Sequence, residues 1–242
     1  MSMIEISNLT FAYDGSYDII FDNVSLRLDT DWRLGLVGRN GRGKTTLLNL
    51  LQHKYEYRGT IRADVPFDYF PFAIPDPDKD AIGVIEDVQP GYEYWQLARE
   101  MHRLDLSDEM LYRPFRSLSG GEQVRLLLAL LFARDNRFLL IDEPTNHLDI
   151  ESIEWLESYL KEYNGAVVLI SHDRAFLDNV TTRTIEISLG KATDYKVPYS
   201  RYVELRNERR QQQMAAYLNQ QKMIEQTEDF IERFRYKPTK SN

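Results

Sequence analysis

The run Gly38-Arg39-Asn40-Gly41-Arg42-Gly43-Lys44-Thr45 sets glycines, a lysine and a hydroxyl at the spacing of a P-loop. Glycines let backbone N–H groups turn inward around phosphates, and a helix N-terminus adds partial positive charge. Lys44 is then placed for the β and γ phosphates and the Thr45 hydroxyl for Mg²⁺. A second group, Phe138-Leu139-Leu140-Ile141-Asp142-Glu143, ends an apolar run in two carboxylates. An acidic pair after a strand is by itself most often a solvated turn. Beside a P-loop it gains chemistry: Asp142 would hold Mg²⁺ through water, and Glu143 would polarise the water that attacks the γ phosphate. A third group, Leu118-Ser119-Gly120-Gly121-Glu122-Gln123, opens a helical stretch reaching Ala133 and offers another anion site at a helix N-terminus. In isolation it reads as a serine cap and a glycine turn. One domain needs a single phosphate cradle, so a second one implies service to a nucleotide held elsewhere.

The elements that must position these groups follow from periodicity. Leu34-Gly35-Leu36-Val37 before the P-loop and the leucines of Lys44 to Leu51 after it make strand, loop and helix. Ile4-Glu5-Ile6 and Val24 to Leu28 read as antiparallel strands, while Phe138 to Ile141 and Ala166 to Ile170 read as buried strands separated by a helix over Ile150 to Tyr163. Pro66, Pro71, Pro75 and Pro77 break the intervening region into extended pieces, and Ala81 to Tyr112 reads as short helices. From about Ser200 the chain is polar and glutamine-rich, with no glycine or proline before Pro238. Met214, Tyr217, Gln221, Ile224, Glu228 and Ile231 follow three-four spacing there, half of an apolar seam on one long helix. Strands alternating with helices give an α/β fold with a mainly parallel core sheet.

Composition bounds the setting. At 242 residues, 43% hydrophobic and 28% charged, the chain suits one large domain with an appendage. No apolar run approaches the roughly 20 residues of a membrane span, and the start lacks a secretory pattern. With no cysteine there is no disulfide or thiolate metal site, and the expectation is a cytoplasmic protein. The net charge of −8 argues against a generally basic nucleic-acid binder. Tyr199 to Asn242, however, carries 9 Lys and Arg against 6 Asp and Glu.

On these motifs the chain resembles the ABC ATPase family over essentially all of Met3 to Val197. Gly38 to Thr46 is similar to its Walker A, Leu118 to Gln123 to its signature, Phe138 to Glu143 to its Walker B, and His147-Leu148-Asp149 to its D-loop. The resemblance implies a P-loop NTPase of ABC type. Such a protein has an antiparallel β subdomain, a mainly parallel core sheet, a small helical subdomain at about 80–117 and a C-terminal long helix. ATP and Mg²⁺ are the implied ligands. Nucleotide contacts would come from Tyr13, stacked on adenine, and from Gly38, Asn40, Gly41, Arg42, Gly43, Lys44, Thr45 and Thr46. Metal contacts would come from Thr45 and Asp142. Glu143 and His172, the latter in Ser171-His172-Asp173-Arg174, would be catalytic, with His172 sensing the γ phosphate. Leu118, Ser119, Gly120, Gly121 and Glu122 would face the nucleotide of a second cassette, with Asp149 in the D-loop. One position departs from the pattern: Phe72, in Tyr69-Phe70-Pro71-Phe72, stands where the family usually has a glutamine that contacts Mg²⁺.

Within the family, Glu143-Pro144-Thr145-Asn146-His147-Leu148-Asp149, Glu122 in the signature and the run Phe230 to Lys240 resemble the ABC-F branch. That branch comprises tandem cassettes joined by a helical linker and acting on ribosomes. Gly15 to Asp18 and Tyr69 to Phe72 look most like members conferring resistance to ribosome-targeted antibiotics. The implied organisation is a cassette over 1–198 followed by an incomplete linker over 199–242, with the ribosome and ribosomal or transfer RNA as partners. Two other readings stand beside it: the cytosolic ATPase subunit of a membrane transporter, and a weakly hydrolysing, nucleotide-gated binding module suggested by Phe72.

Overall fold

Alternating apolar residues bring the first two strands together. β1 (Met3–Ala12) buries Ile4, Ile6, Leu9 and Phe11, and β2 (Ile19–Asp29), antiparallel to it, buries Phe21, Val24, Leu26 and Leu28. Both strands are longer than the strict alternation in the sequence suggests. Asn8 and Asn23 have positive φ, and the β1–β2 register shifts between Ile6 and Leu9 and again toward Ala12. Such irregularities carry a strand on while breaking its period of two. The chain then forms β3 (Arg33–Val37) and α1 (Lys44–Leu51) and returns to the first sheet as β4 (Arg58–Arg62), in the order β2-β1-β4.

The computed structural model describes residues 3–134 and 138–235, with side chains through Glu232. The chain divides into two units, Met1–Tyr199 and Ser200–Asn242.

In the first unit, β5 (Phe67–Phe70) is followed by α2 (Ala81–Val88), α3 (Tyr94–Arg103), two short 3-10 turns and α4 (Gly120–Phe132). Next come β6 (Phe138–Asp142), α5 (Ile150–Glu162), β7 (Val167–Ile170), α6 (Arg174–Val180), β8 (Arg183–Ser188) and β9 (Lys191–Tyr195). Among the described residues the second sheet has the order β5-β6-β7-β3-β8-β9, parallel throughout except for the β8–β9 hairpin. β6 and β7 are near-continuous apolar runs because helices cover a parallel sheet on both faces. The carboxyl ends of β3, β6 and β7 lie side by side, and an open parallel sheet presents its binding crevice outside such ends. Among α2 to α4, Glu100 is fully buried and paired with Arg99 at 2.8 Å and Arg103 at 3.2 Å, so its charge is compensated.

The second unit is the body of α7 (Tyr199–Arg235), 37 residues and so about 55 Å long. Its side chains from Arg206 to Glu232 are exposed, including Met214, Tyr217, Ile224 and Ile231 of the half-seam. The part of the Phe230–Lys240 run beyond Arg235 lies outside the described residues. Among the described residues no helix is long and apolar enough to cross a membrane.

Candidate functional site

Two glycines of the turn after β3, Gly38 and Gly43, leave no room for a side chain. Gly43 caps α1 with φ 99°, and a Cβ there would meet Ile20 Cγ2 at 2.6 Å and Phe21 Cζ at 3.0 Å. Gly38, at φ 155°, lies so close to the β8 backbone that a Cβ would meet the Ile187 carbonyl at 2.5 Å. This close fit holds the loop against both sheets. It leaves the Lys44 ammonium donating to the Gly38 carbonyl at 3.1 Å and to Asn40 Oδ1 at 3.4 Å.

Around the loop lies a cavity of about 350 Å³. Of the residues singled out in the sequence, Tyr13, Asn40, Gly41, Gly43, Lys44, Thr45, Thr46, Asp142, Glu143 and His172 line it. Ile20 and Ile170 complete the wall; they are plain apolar strand residues, and nothing in their spacing marks them. Four contacts tie the groups to one another. The Thr45 hydroxyl donates to Asp142 Oδ2 at 2.6 Å. Tyr13 and Thr46 share a hydroxyl–hydroxyl hydrogen bond of 2.8 Å. The His172 backbone N–H donates to Glu143 Oε2 at 3.1 Å, and His172 Nε2 stands 3.4 Å from Glu143 Oε1. Glu143 itself takes a positive φ of 53° and donates its N–H to the Ile170 carbonyl at 2.8 Å, which turns its side chain out of the β6 line. The Tyr13 ring is set edge-on to Phe11 at 5.0 Å and to Tyr55 at 5.6 Å, and it stays partly exposed.

Sequence reasoning passed over Tyr69. Burial, and then the nearby Asp142 carboxylate, push the Tyr69 phenol up to about 12. The pairing of β5 with β6 brings the two together, and no spacing in the sequence encodes that. Phe72 does not line the cavity; it is half-buried, with its ring edge-on to Phe70 at 6.3 Å. Arg42 is exposed and also outside the lining.

The third motif lies apart from this cavity: Leu118, Ser119, Gly120, Gly121 and Glu122 are absent from its lining. Ser119 caps α4 by accepting from the Glu122 N–H at 3.3 Å, while Glu122 Oε2 accepts from the Ser119 N–H at 2.7 Å. That reciprocal box holds the Glu122 carboxyl below its ordinary range, the Ser119 backbone contact being the largest cause. His147, at φ 67°, packs on the same turn, its carbonyl 3.1 Å from where a Gly121 Cβ would be. Asp149 caps α5, accepting from the Ser152 N–H at 2.9 Å; the Ser152 side chain, then that backbone contact, lower its pKa.

The oxygens of Thr45 and Asp142 are hard donors suited to Mg²⁺, which takes one or two protein ligands and completes its shell with phosphate and water. Among the described residues no three His, Cys, Asp or Glu side chains group as a metal cage.

Two family models, both described as ABC transporter, match residues 21–146 and 185–242. Among curated proteins, "Probable ATP-binding protein YheS" of Escherichia coli (strain K12) is 33% identical over 92% of this chain and 41% of its own length. Ribosome protection protein VmlR of Bacillus subtilis (strain 168) is 33% identical over 93% of this chain and 39% of its own. The chain thus spans about two-fifths of the length of these relatives. A solved dimeric ATP-binding cassette in a post-hydrolysis state, bound to ADP and Pi, superposes with a TM-score of 0.66 at 20% identity, covering 80% of this chain and 98% of its own. The α/β architecture is the one found in solved cassettes of this kind.

Proposed function

Given that the chain belongs to the ABC transporter family of ATP-binding cassettes, we propose that it binds MgATP in the cavity beside β3 and hydrolyses it when a second cassette closes over the γ phosphate. The observation that carries this reading is the convergence of Lys44, Thr45, Asp142 and Glu143 on one cavity, with the Thr45 hydroxyl directly on the Asp142 carboxylate. Tyr13 offers its face to the base. Lys44 exchanges the Gly38 and Asn40 oxygens for phosphate oxygens. Bound Mg²⁺ supplies charge neutralisation to the phosphates, with Thr45 and Asp142 holding it. Glu143, oriented through both contacts to His172, positions the attacking water and takes up its proton.

The signature supports a shared site, because its Ser119 and Gly121 stand at a helix N-terminus outside the cavity of their own cassette. In the complete protein we assign the chain to the ABC-F branch, as one cassette of a tandem followed by linker helix, with ATP timing attachment to the ribosome. Relatives more than twice as long as this chain support that assignment, as does one whose name records ribosome protection. The nine basic residues beyond Tyr199 suit contact with RNA phosphates.

Glu143→Gln in the complete two-cassette protein should trap an ATP-closed, ribosome-bound state. Co-sedimentation with ribosomes should then depend on ATP and outlast that of the wild type. Sedimentation indifferent to ATP would sink the ribosome reading.

A further inference from the structure

Among the described residues the three-stranded sheet ends on β2, an edge strand in the order β2-β1-β4. Edge strands present backbone groups that need partners. At Asp22 those partners come from the other sheet. The Asp22 N–H donates to the Gly190 carbonyl at 2.9 Å, while Lys191 Nζ donates to the Asp22 carbonyl at 2.6 Å and to Asp22 Oδ2 at 3.2 Å. Gly190 and Lys191 belong to the β8–β9 hairpin, in which Ser188 pairs with Lys191 across Leu189 and Gly190. Leu189 and Gly190 both have positive φ, as the commonest two-residue hairpin turn requires, so the turn is short and its geometry set. The contact falls beside the candidate site. Ile20, two residues before Asp22, lines the cavity, and Ile20 and Phe21 are the side chains that a Gly43 Cβ would strike. Ile19 pairs with Ala12, the residue before Tyr13.

We propose that Lys191 is a positioning residue for the base end of the nucleotide: by holding the Asp22 main chain on the β8–β9 turn, it fixes the wall formed by Tyr13 and Ile20 at its distance from the P-loop. This assignment rests on the MgATP reading above and adds a group to it. Lys191 lies outside the cavity lining and acts through β2. The two ends of the cavity differ in what holds them. The P-loop follows β3, which is paired on both sides, to β7 and to β8. β2 is paired with a strand on one side only, so release of the turn loosens the base end and leaves the phosphate end in place. The ion pair between Lys191 and Asp22 is more than half exposed on both sides and contributes little by itself. The contact with the Asp22 carbonyl matters more, because it fixes main chain and not a mobile side chain.

The test uses the complete protein with Lys191→Met, which keeps an unbranched side chain and removes the ammonium. Two ligands are titrated calorimetrically with Mg²⁺ present: ATP, and inorganic tripolyphosphate as a probe that has phosphates and no base. Whatever a second cassette binds is common to wild type and variant, so the difference between them reports this site. ATP affinity should fall about fivefold, the scale of one net hydrogen bond, while tripolyphosphate affinity stays at the wild-type value. The ratio should persist in about 1 M salt, where the screening length is about 3 Å and the exposed ion pair is suppressed. Unchanged ATP affinity in Lys191→Met overturns the proposal. So does an equal loss for both ligands, which would mark Lys191 as a general support of the cassette. A difference that vanishes in high salt also overturns it, since the ion pair and not the carbonyl contact would then be responsible. Wild-type protein that binds ATP no more tightly than tripolyphosphate would instead remove the assignment of Tyr13 to the base, on which the proposal rests.

Discussion

Two glycine-bearing turns in this chain are built in opposite ways. The P-loop site is assembled across the fold: Thr45 meets Asp142 from 97 positions away, Tyr13 meets Thr46 from 33, and His172 meets Glu143 from 29. The signature turn closes on itself within a single helical turn, Ser119 and Glu122 satisfying each other's backbone N–H groups. The first is a site whose side-chain contacts reach across the fold and whose geometry depends on both sheets. The second is a helix start whose end groups are satisfied by its own residues, with His147 packed on the turn from outside. Damage to the first should therefore appear as lost binding. Damage to the second should appear as lost local stability, with the binding role proposed for it visible only against another cassette.

The hardest blow to the long-range site leaves every functional group in place. Gly43→Ala drives a Cβ into Ile20 and Phe21 at a positive φ, so the loop must shift, and overpacking of about 1–3 kcal/mol would lower ATP affinity by roughly tenfold to a hundredfold. Gly41→Ala, with positive φ but nothing within 4 Å of the added carbon, should be markedly milder by isothermal titration. Equal effects would mean that backbone strain, and not the contact between the sheets, sets the loop.

Next in size is Tyr13→Ala. Loss of a stacked base costs about 1–3 kcal/mol, and Tyr13→Phe should lose only the hydrogen bond to Thr46, worth about 1 kcal/mol. If the two variants bind ATP alike, Tyr13 is an anchor for the loop and not a platform for the base.

The smallest effect belongs to the local turn. Glu122→Ala removes half of the capping box and should lower stability by about 1 kcal/mol without altering ATP affinity of the cassette. The box lowers the folded-state pKa of Glu122, so its contribution is complete above the unfolded value of about 4.3 and is lost as pH falls through the lower folded value. The melting difference between wild type and variant should accordingly shrink below about pH 4. A fall in ATP affinity comparable to that of Gly43→Ala would erase the distinction between the two turns.

What the sequence determined by itself was whatever is local. The helix after the P-loop, Lys44–Leu51, is legible because a glycine turn precedes a run of leucines, and β6 is legible as an apolar run closed by carboxylates. The serine cap at Ser119 is legible from residue type alone, and the structure adds the reciprocal contact from Glu122 within the same helical turn. The tertiary structure decided what distance conceals. Strand order, in which β3 lies between β7 and β8, sets Gly38 against Ile187, and the placement of β5 beside β6 carries Tyr69 to Asp142. The lengths of β1 and β2 were hidden for a related reason: their bulges interrupt the alternation while cross-strand pairing carries the strands through it. Local conformational preference writes its signal into neighbouring residues. Pairing between remote strands is fixed by burial and by backbone hydrogen bonds that any apolar residue can make, so it leaves no mark in the spacing.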